Sequence, residues 1–424
     1  MKTKGNIVLK NASELVTCSG FEKKHGKAMS DLHVIKDGAV VIKDGVIEKV
    51  GKTEDVLNGM DLTGYDVVDC SGKTITPGFV DSHTHLVFGG YRDEEFSWRL
   101  RGDSYVSIME RGGGIAKTVN GTRDASFEEL VELGMKRLNS MARFGVTTVE
   151  SKSGYGLNLE HELKQLEVTK MLNEKHSLDL VSTFMGAHDI PKEYKGRSGD
   201  YIDYIIEEML PVVAERKLAE YCDIFTEDKV FSIEESRELL KAAREQGFKL
   251  KMHADEIVRI GGAELAAELH CTSADHLLQA SNEGLIKMGE AGTVCTLLPG
   301  TAFSLKADFA RGRFMIDNNC AVAIATDFNP GSCFTESIPL VISLATLYMN
   351  MSIEETITAL TINGAAALDR ADQIGSIDVG KKGDVVVHEF PSYHFLTYHI
   401  GVSTVEKVIK DGRMIYDTTK NEVK

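Results

Sequence analysis

Four short stretches carry side chains able to do chemistry together: Asp81-Ser82-His83-Thr84-His85, Met252-His253-Ala254-Asp255-Glu256, Ala274-Asp275-His276 and Ala325-Thr326-Asp327. Side chains alternate along an extended chain, so His83 and His85 point to the same side and can share one ion. Neutral imidazoles bind Zn²⁺ or iron, and two on one rigid strand make half a coordination shell at little ordering cost. Alone, an H-x-H pair is weak, because paired surface histidines arise by chance. Asp327, however, follows an apolar run over 322–325, where a buried carboxylate is costly unless paired, hydrogen-bonded or bound to metal. One shared site accounts for the four stretches better than four unrelated strand caps. A bound ion would bring the pKa of its water from ~15.7 toward ~7 and polarise a carbonyl, which makes hydrolysis the chemistry to expect.

Stretches so distant in sequence need a scaffold that gathers them. Eight short β-rich runs supply it: Phe79 to Asp81, Val146 to Glu150, Leu180 to Met185, Tyr221 to Phe225, Lys249 to Met252, Ser273 to Asp275, Thr293 to Leu297 and Val322 to Thr326. The segments between them, such as Phe127 to Arg143, Ile233 to Glu245 and Ile353 to Leu368, carry apolar residues three and four apart, the period of helices that cover a sheet with one face. The pattern predicts an α/β protein with a (β/α)8 TIM-like barrel. The four stretches then follow strands one, five, six and eight, at the rim where such barrels place their chemistry. The two ends of the chain read instead as β. Ile-Lys-Asp-Gly occurs at 42–45 and again at 409–412, and both Asp-Gly pairs suit the positive-φ positions of a hairpin turn. This is shared turn chemistry, not a repeat. The expected domains are 1–75 and 375–424, two parts of a small β-sandwich, around a barrel over 76–374.

At 424 residues, 42% apolar and 26% charged, the chain is neither disordered nor collagenous. A net charge of −16 argues against a phosphate-backbone partner and leaves a small molecule as ligand. Seven cysteines with no C-x-x-C pair suggest a reducing compartment. No run approaches the ~18 apolar residues of a membrane span, so the expected location is cytoplasmic with no membrane partner. Two glycine runs superficially suit nucleotide binding. The run from Gly112 to Thr118 fails the phosphate-loop spacing, and Gly154-Tyr155-Gly156 lacks the third glycine of a dinucleotide site. Both read as mobile loops over the barrel mouth.

The segment Pro77-Gly-Phe-Val-Asp-Ser-His-Thr-His85, with histidines after strands five and six and an aspartate after strand eight, resembles the metal-dependent amidohydrolase superfamily. Within it the chain resembles the imidazolonepropionases. Gly89-Gly-Tyr-Arg92, Arg111-Gly-Gly-Gly-Ile115, Glu150-Ser-Lys-Ser-Gly-Tyr-Gly156, Phe184-Met-Gly-Ala-His188, His253-Ala-Asp-Glu256 and Thr326-Asp-Phe-Asn-Pro-Gly-Ser332 carry that resemblance. It implies hydrolysis of the ring C–N bond of 4-imidazolone-5-propanoate to N-formimidoyl-L-glutamate, in histidine degradation, by a metal-bound water or hydroxide. It also implies a homodimer. Binuclear members use a strand-four lysine or glutamate, and strand four here offers Cys222-Asp223-Ile224-Phe225 without a lysine. The resemblance therefore implies a single metal, zinc or iron, on His83, His85, His253 and Asp327.

Glu256, His276 and Asp327 are the candidates for moving protons, and the sequence does not order their roles. The anionic tail of such a substrate calls for a local donor on an acidic protein, and Arg92, in the loop after strand one, is the clamp. The resemblance carries substrate or product contact onto Arg92, Tyr155, His188, Glu256, Asn329, Gly331 and Ser332, with Tyr105 a weaker addition. The metal cage alone cannot choose between attack at C=O and at C–NH₂, so a cyclic amidine or nucleobase deaminase is the alternative enzyme. A non-catalytic barrel scaffold is the alternative of another class, against which the full ligand set argues.

Overall fold

The computed structural model describes residues 4–103, 111, 113–420 and 422–423. The chain begins in a mixed nine-stranded sheet. Strands β1 (Ile7–Val16), β2 (Val34–Lys43), β3 (Val46–Lys52), β4 (Asp66–Asp69) and β5 (Thr74–Pro77) come from its start. The C-terminal strands β14 (Val385–His388), β15 (Val405–Lys410), β16 (Arg413–Asp417) and β17 (Glu422–Val423) complete it, joined through the antiparallel β5–β14 pair. Both Asp-Gly turns adopt positive φ, 49° and 78° at Asp44-Gly45 and 49° and 73° at Asp411-Gly412. Alternation decides what β14 covers: Val385 and Val387 pack with Ile7, Leu9, Val40 and Ile42, whereas Val386 joins the core of the central barrel.

That barrel consists of eight parallel strands in chain order: β6 (Phe79–Asp81), β7 (Val146–Lys152), β8 (Asp179–Ala187), β9 (Tyr221–Thr226), β10 (Lys249–Ala254), β11 (Ser273–His276), β12 (Val294–Leu297) and β13 (Val322–Ile324). The predicted runs all become strands. Closure between β6 and β13 is made just beyond their ends. Asp327 N–H donates to the His83 carbonyl (3.0 Å), His85 N–H to that of Phe328 (2.9 Å), and the Thr326 amide and hydroxyl to the Asp81 carboxylate (3.0 and 2.7 Å).

Helices Phe127–Arg143 and Ile233–Glu245 each start at a serine capping box, Ser126 with Glu129 and Ser232 with Glu235. The segment expected as one helix over 353–368 is two, Ile353–Leu360 and Ile362–Ala366. Thr361 leaves helical dihedrals (φ −116°, ψ −97°), and the second helix then lays Gly364 where an added Cβ would stand 3.0 Å from the Val80 carbonyl oxygen. Arg137, buried on the first helix, donates to the carbonyls of Leu86 (2.7 Å) and Phe88 (3.0 Å) and so fixes the loop leading to Arg92. All seven cysteines are free and buried, and no described helix is long and apolar enough to cross a membrane.

Candidate active site

His83, His85, His253 and Asp327 converge at the C-terminal ends of the strands, all buried. His83 Nδ1 donates to Asp275 (2.6 Å) and His253 Nδ1 to Asp223 (3.1 Å). These bonds set the tautomer, leaving each Nε2 with a free lone pair, and donor atoms of His83, His253 and His276 also lie within 4.8 Å of one another. Nε2 of His253 lies 3.4 Å from Nε2 of His85, and Asp327 Oδ1 lies 3.5 Å from His83 Nε2 and 3.8 Å from His85 Nε2. Donors held tetrahedrally at ~2.1 Å by one ion stand on the order of 3.4 Å apart, so the spacing fits a shared metal. His83 Nε2 is buried without a partner, as a ligand atom should be. Burial first, with the neighbouring cations and imidazoles, holds all three histidines well below the ordinary imidazole range and therefore neutral, the form that binds metal.

The backbone is strained where it delivers these groups. His276, Asp327 and Asp255 have φ of 74°, 53° and 48°, a region that costs a residue with a Cβ ~1–3 kcal/mol and is concentrated at functional sites. His276 approaches Glu256, its Nδ1 3.6 Å from Oε1. Burial, with Asp327 and Glu227 nearby, pushes the Glu256 carboxyl up to about 8. Burial likewise raises Asp327 to about 7, although it accepts from the Thr301 hydroxyl, and lowers His276 to about 4.

Above the cluster opens a cavity of about 380 Å³. Arg92, Tyr155, His188, Glu256, Asn329, Gly331 and Ser332, the residues expected to meet substrate, all line it. Arg92 is braced by Glu95 (2.9 Å) and packs so closely on Gly331 that a Cβ there would stand 2.0 Å from Nη1. His188 stacks on His85, centroids 4.7 Å apart, and its Nδ1 donates to the Gly154 carbonyl (3.1 Å), turning Nε2 outward as an acceptor. The Asn329 side chain binds its own turn, accepting from the amides of Gly331 and Ser332 (2.8 Å each). It thus shapes the wall. Contrary to the expectation of a mobile loop, Gly154-Tyr155-Gly156 is tied down: Glu162 accepts from the amides of Gly154, Gly156 and Leu157. Tyr105 and Gly112 lie outside the described residues.

Sequence reasoning passed over what lies beneath. Lys152, Lys251, Glu150, Asp223 and Asp275 form a wholly buried ionic floor. Lys152 Nζ is 2.6 Å from Asp223, 3.0 Å from Glu150 and 3.6 Å from Asp275. Burial works against the charge of Lys152, but Asp223, Glu150 and Asp275 outweigh it and raise the lysine's pKa. The available signal was a charged residue at an interior-facing place of an apolar strand, as in Leu250-Lys251-Met252. On the cavity wall, Glu95 and Arg99 were also missed.

The chain matches the model of the amidohydrolase family over residues 74–415. Its fold is shared with a zinc-bound adenosine deaminase from Xanthomonas campestris (TM-score 0.73, 17% identity, 100% of this chain and 95% of that one). A zinc complex of atrazine chlorohydrolase from Arthrobacter aurescens is similar (TM-score 0.73, 15% identity, 97% and 95%). The chain belongs to the amidohydrolase family. It is also 60% identical over 413 residues to the imidazolonepropionase of Clostridium tetani (97% of this chain, 99% of that one). The imidazolonepropionase of Porphyromonas gingivalis is 58% identical over 413 residues (97% of each). With these relatives it falls in the imidazolonepropionase branch of the family.

Proposed function

We propose that this pocket opens the ring of 4-imidazolone-5-propanoate by hydrolysis of its amide C–N bond, giving N-formimidoyl-L-glutamate in histidine degradation, with one zinc or iron ion held by His83, His85, His253 and Asp327. The observation that carries this reading is that His85, His253 and Asp327 line one cavity with a guanidinium braced by Glu95, above His83, whose donor atoms group with those of His85 and Asp327 and, separately, with those of His253 and His276. When bound, the ion supplies a Lewis acid and an acidified water.

The protein's own groups supply the rest. Arg92 pairs with the propanoate and sets the ring's distance from the floor. Tyr155 and His188 Nε2 hydrogen-bond the ring edge. Asp327 takes the proton of the attacking water, and neutral His276 donates to the carbonyl oxygen as charge develops on it. Glu256, protonated up to about pH 8, gives its proton to the departing ring nitrogen. The C–N bond breaks, the former carbonyl carbon becomes a carboxylate, and the amidine nitrogen leaves protonated. A nucleobase carries no carboxylate for Arg92 to pair with, which disfavours a nucleobase deaminase. The test is a steady-state assay with 4-imidazolone-5-propanoate, following loss of ring absorbance and appearance of formimidoylglutamate. Absence of turnover by metal-replete protein rejects the reading.

A further inference from the structure

The ionic floor divides its work in a way that singles out one lysine. Asp223 splits its carboxylate: Oδ2 takes the Lys152 ammonium at 2.6 Å while Oδ1 takes His253 Nδ1 at 3.1 Å. Asp275 Oδ2 accepts from His83 Nδ1 at 2.6 Å with the same ammonium 3.6 Å away. Lys152, on β7, thus hydrogen-bonds the β9 carboxylate that orients His253 and stands within ion-pair range of the β11 carboxylate that orients His83. Lys251, equally buried, donates to the Ser82 carbonyl (3.0 Å), pairs with Glu150 (3.2 Å) and reaches Asp275 only at 3.8 Å.

We propose that Lys152 is a positioning residue of the metal site, its ammonium fixing Asp223 and Asp275 where they aim His253 and His83 at a shared ion. The inference rests on the assignment of those histidines as ligands. Without the ammonium, Lys251 still pairs with Glu150 and stands 3.8 Å from Asp275, while Asp223 loses the partner that holds its second oxygen. Partners that orient metal ligands typically contribute 10–100-fold in affinity.

The test uses the full chain with Zn²⁺ alone, its affinity measured by chelator competition, and Co²⁺ alone, its visible spectrum reporting ligand geometry. Lys152→Met is expected to keep its circular dichroism, lose 10–100-fold in zinc affinity and show an altered cobalt spectrum. Lys251→Met, which removes the same charge from the same floor, is expected to lower thermal stability with a much smaller loss of affinity. Should Lys152→Met not fold, Lys152→Met/Glu150→Gln preserves the charge balance and carries the same expectation. Zinc binding by the Lys152 variant at wild-type strength with an unchanged cobalt spectrum, or an equal loss in Lys251→Met, overturns the proposal. Wild-type protein that takes up no zinc, or His253→Ala that takes it up undiminished, overturns the ligand assignment and this inference with it.

Discussion

Replacing Gly331 by alanine probes the substrate clamp without touching a charged group. The three atoms nearest an added Cβ all belong to Arg92, with Nη1 at 2.0 Å and Cζ at 2.9 Å, against 3.4 Å for ordinary contact. The guanidinium must therefore withdraw by about 1.4 Å, the difference between 3.4 and 2.0 Å. Its bond to Glu95 at 2.9 Å cannot survive that movement unchanged. Only the tip of a flexible side chain gives way, so the fold should lose less than ~1 kcal/mol. A charge-assisted hydrogen bond is worth ~1.5–3 kcal/mol, on the order of 10–100-fold in binding. We expect kcat/KM for 4-imidazolone-5-propanoate to fall ~10–100-fold, mainly through KM, with metal content unchanged. The measurement is initial rates across substrate concentration beside a thermal melt. If Arg92→Ala is crippled while Gly331→Ala works at wild-type efficiency, the packing of clamp on glycine is not what places the substrate.

Other perturbations read out other parts of the site. Glu256 is a proton donor below its pKa of about 8 and loses that proton above it, so kcat should decline on the alkaline side of about pH 8; Glu256→Gln should remove that limb and lower kcat ~10²–10⁴-fold. Dialysis against a chelator should abolish activity and lower the melting temperature, an ion present at ~1,000 times its Kd being worth ~4 kcal/mol of stability; full activity of metal-stripped protein contradicts the ligand assignment. Thr326→Val deletes a buried 2.7 Å bond to Asp81 and should destabilise by ~1–3 kcal/mol in denaturant titration, whereas an unmoved midpoint would show the barrel closes without it.

The sequence made the donor set legible because His83-x-His85 and the acid after 322–325 violate the economy of an apolar strand end, and a rim position explains both. The eight strands were legible for a related reason: short apolar runs alternate with amphipathic segments. The floor was not. Lys152 lies two residues past the predicted end of its strand, and Lys251 and Asp223 are single charges whose meaning depends on which neighbours they face across the barrel. The break at Thr361 was equally hidden, since both helices keep the same apolar period and the close approach of Gly364 to Val80 is a tertiary contact that no local pattern signals. Asn329 shows the converse limit: it lines the cavity, yet its polar atoms serve the loop that carries it.

The cylinder is sewn shut by the same peptide units that present His83, His85 and Asp327, between segments as distant in the chain as His83 and Asp327. A chain emerging from the ribosome can build seven staves and still own neither a closed wall nor the last of the proposed ligands, because the closing bonds reach Phe328 and that ligand is Asp327. An ion held by the proposed ligands would therefore brace the last joint of the wall to form.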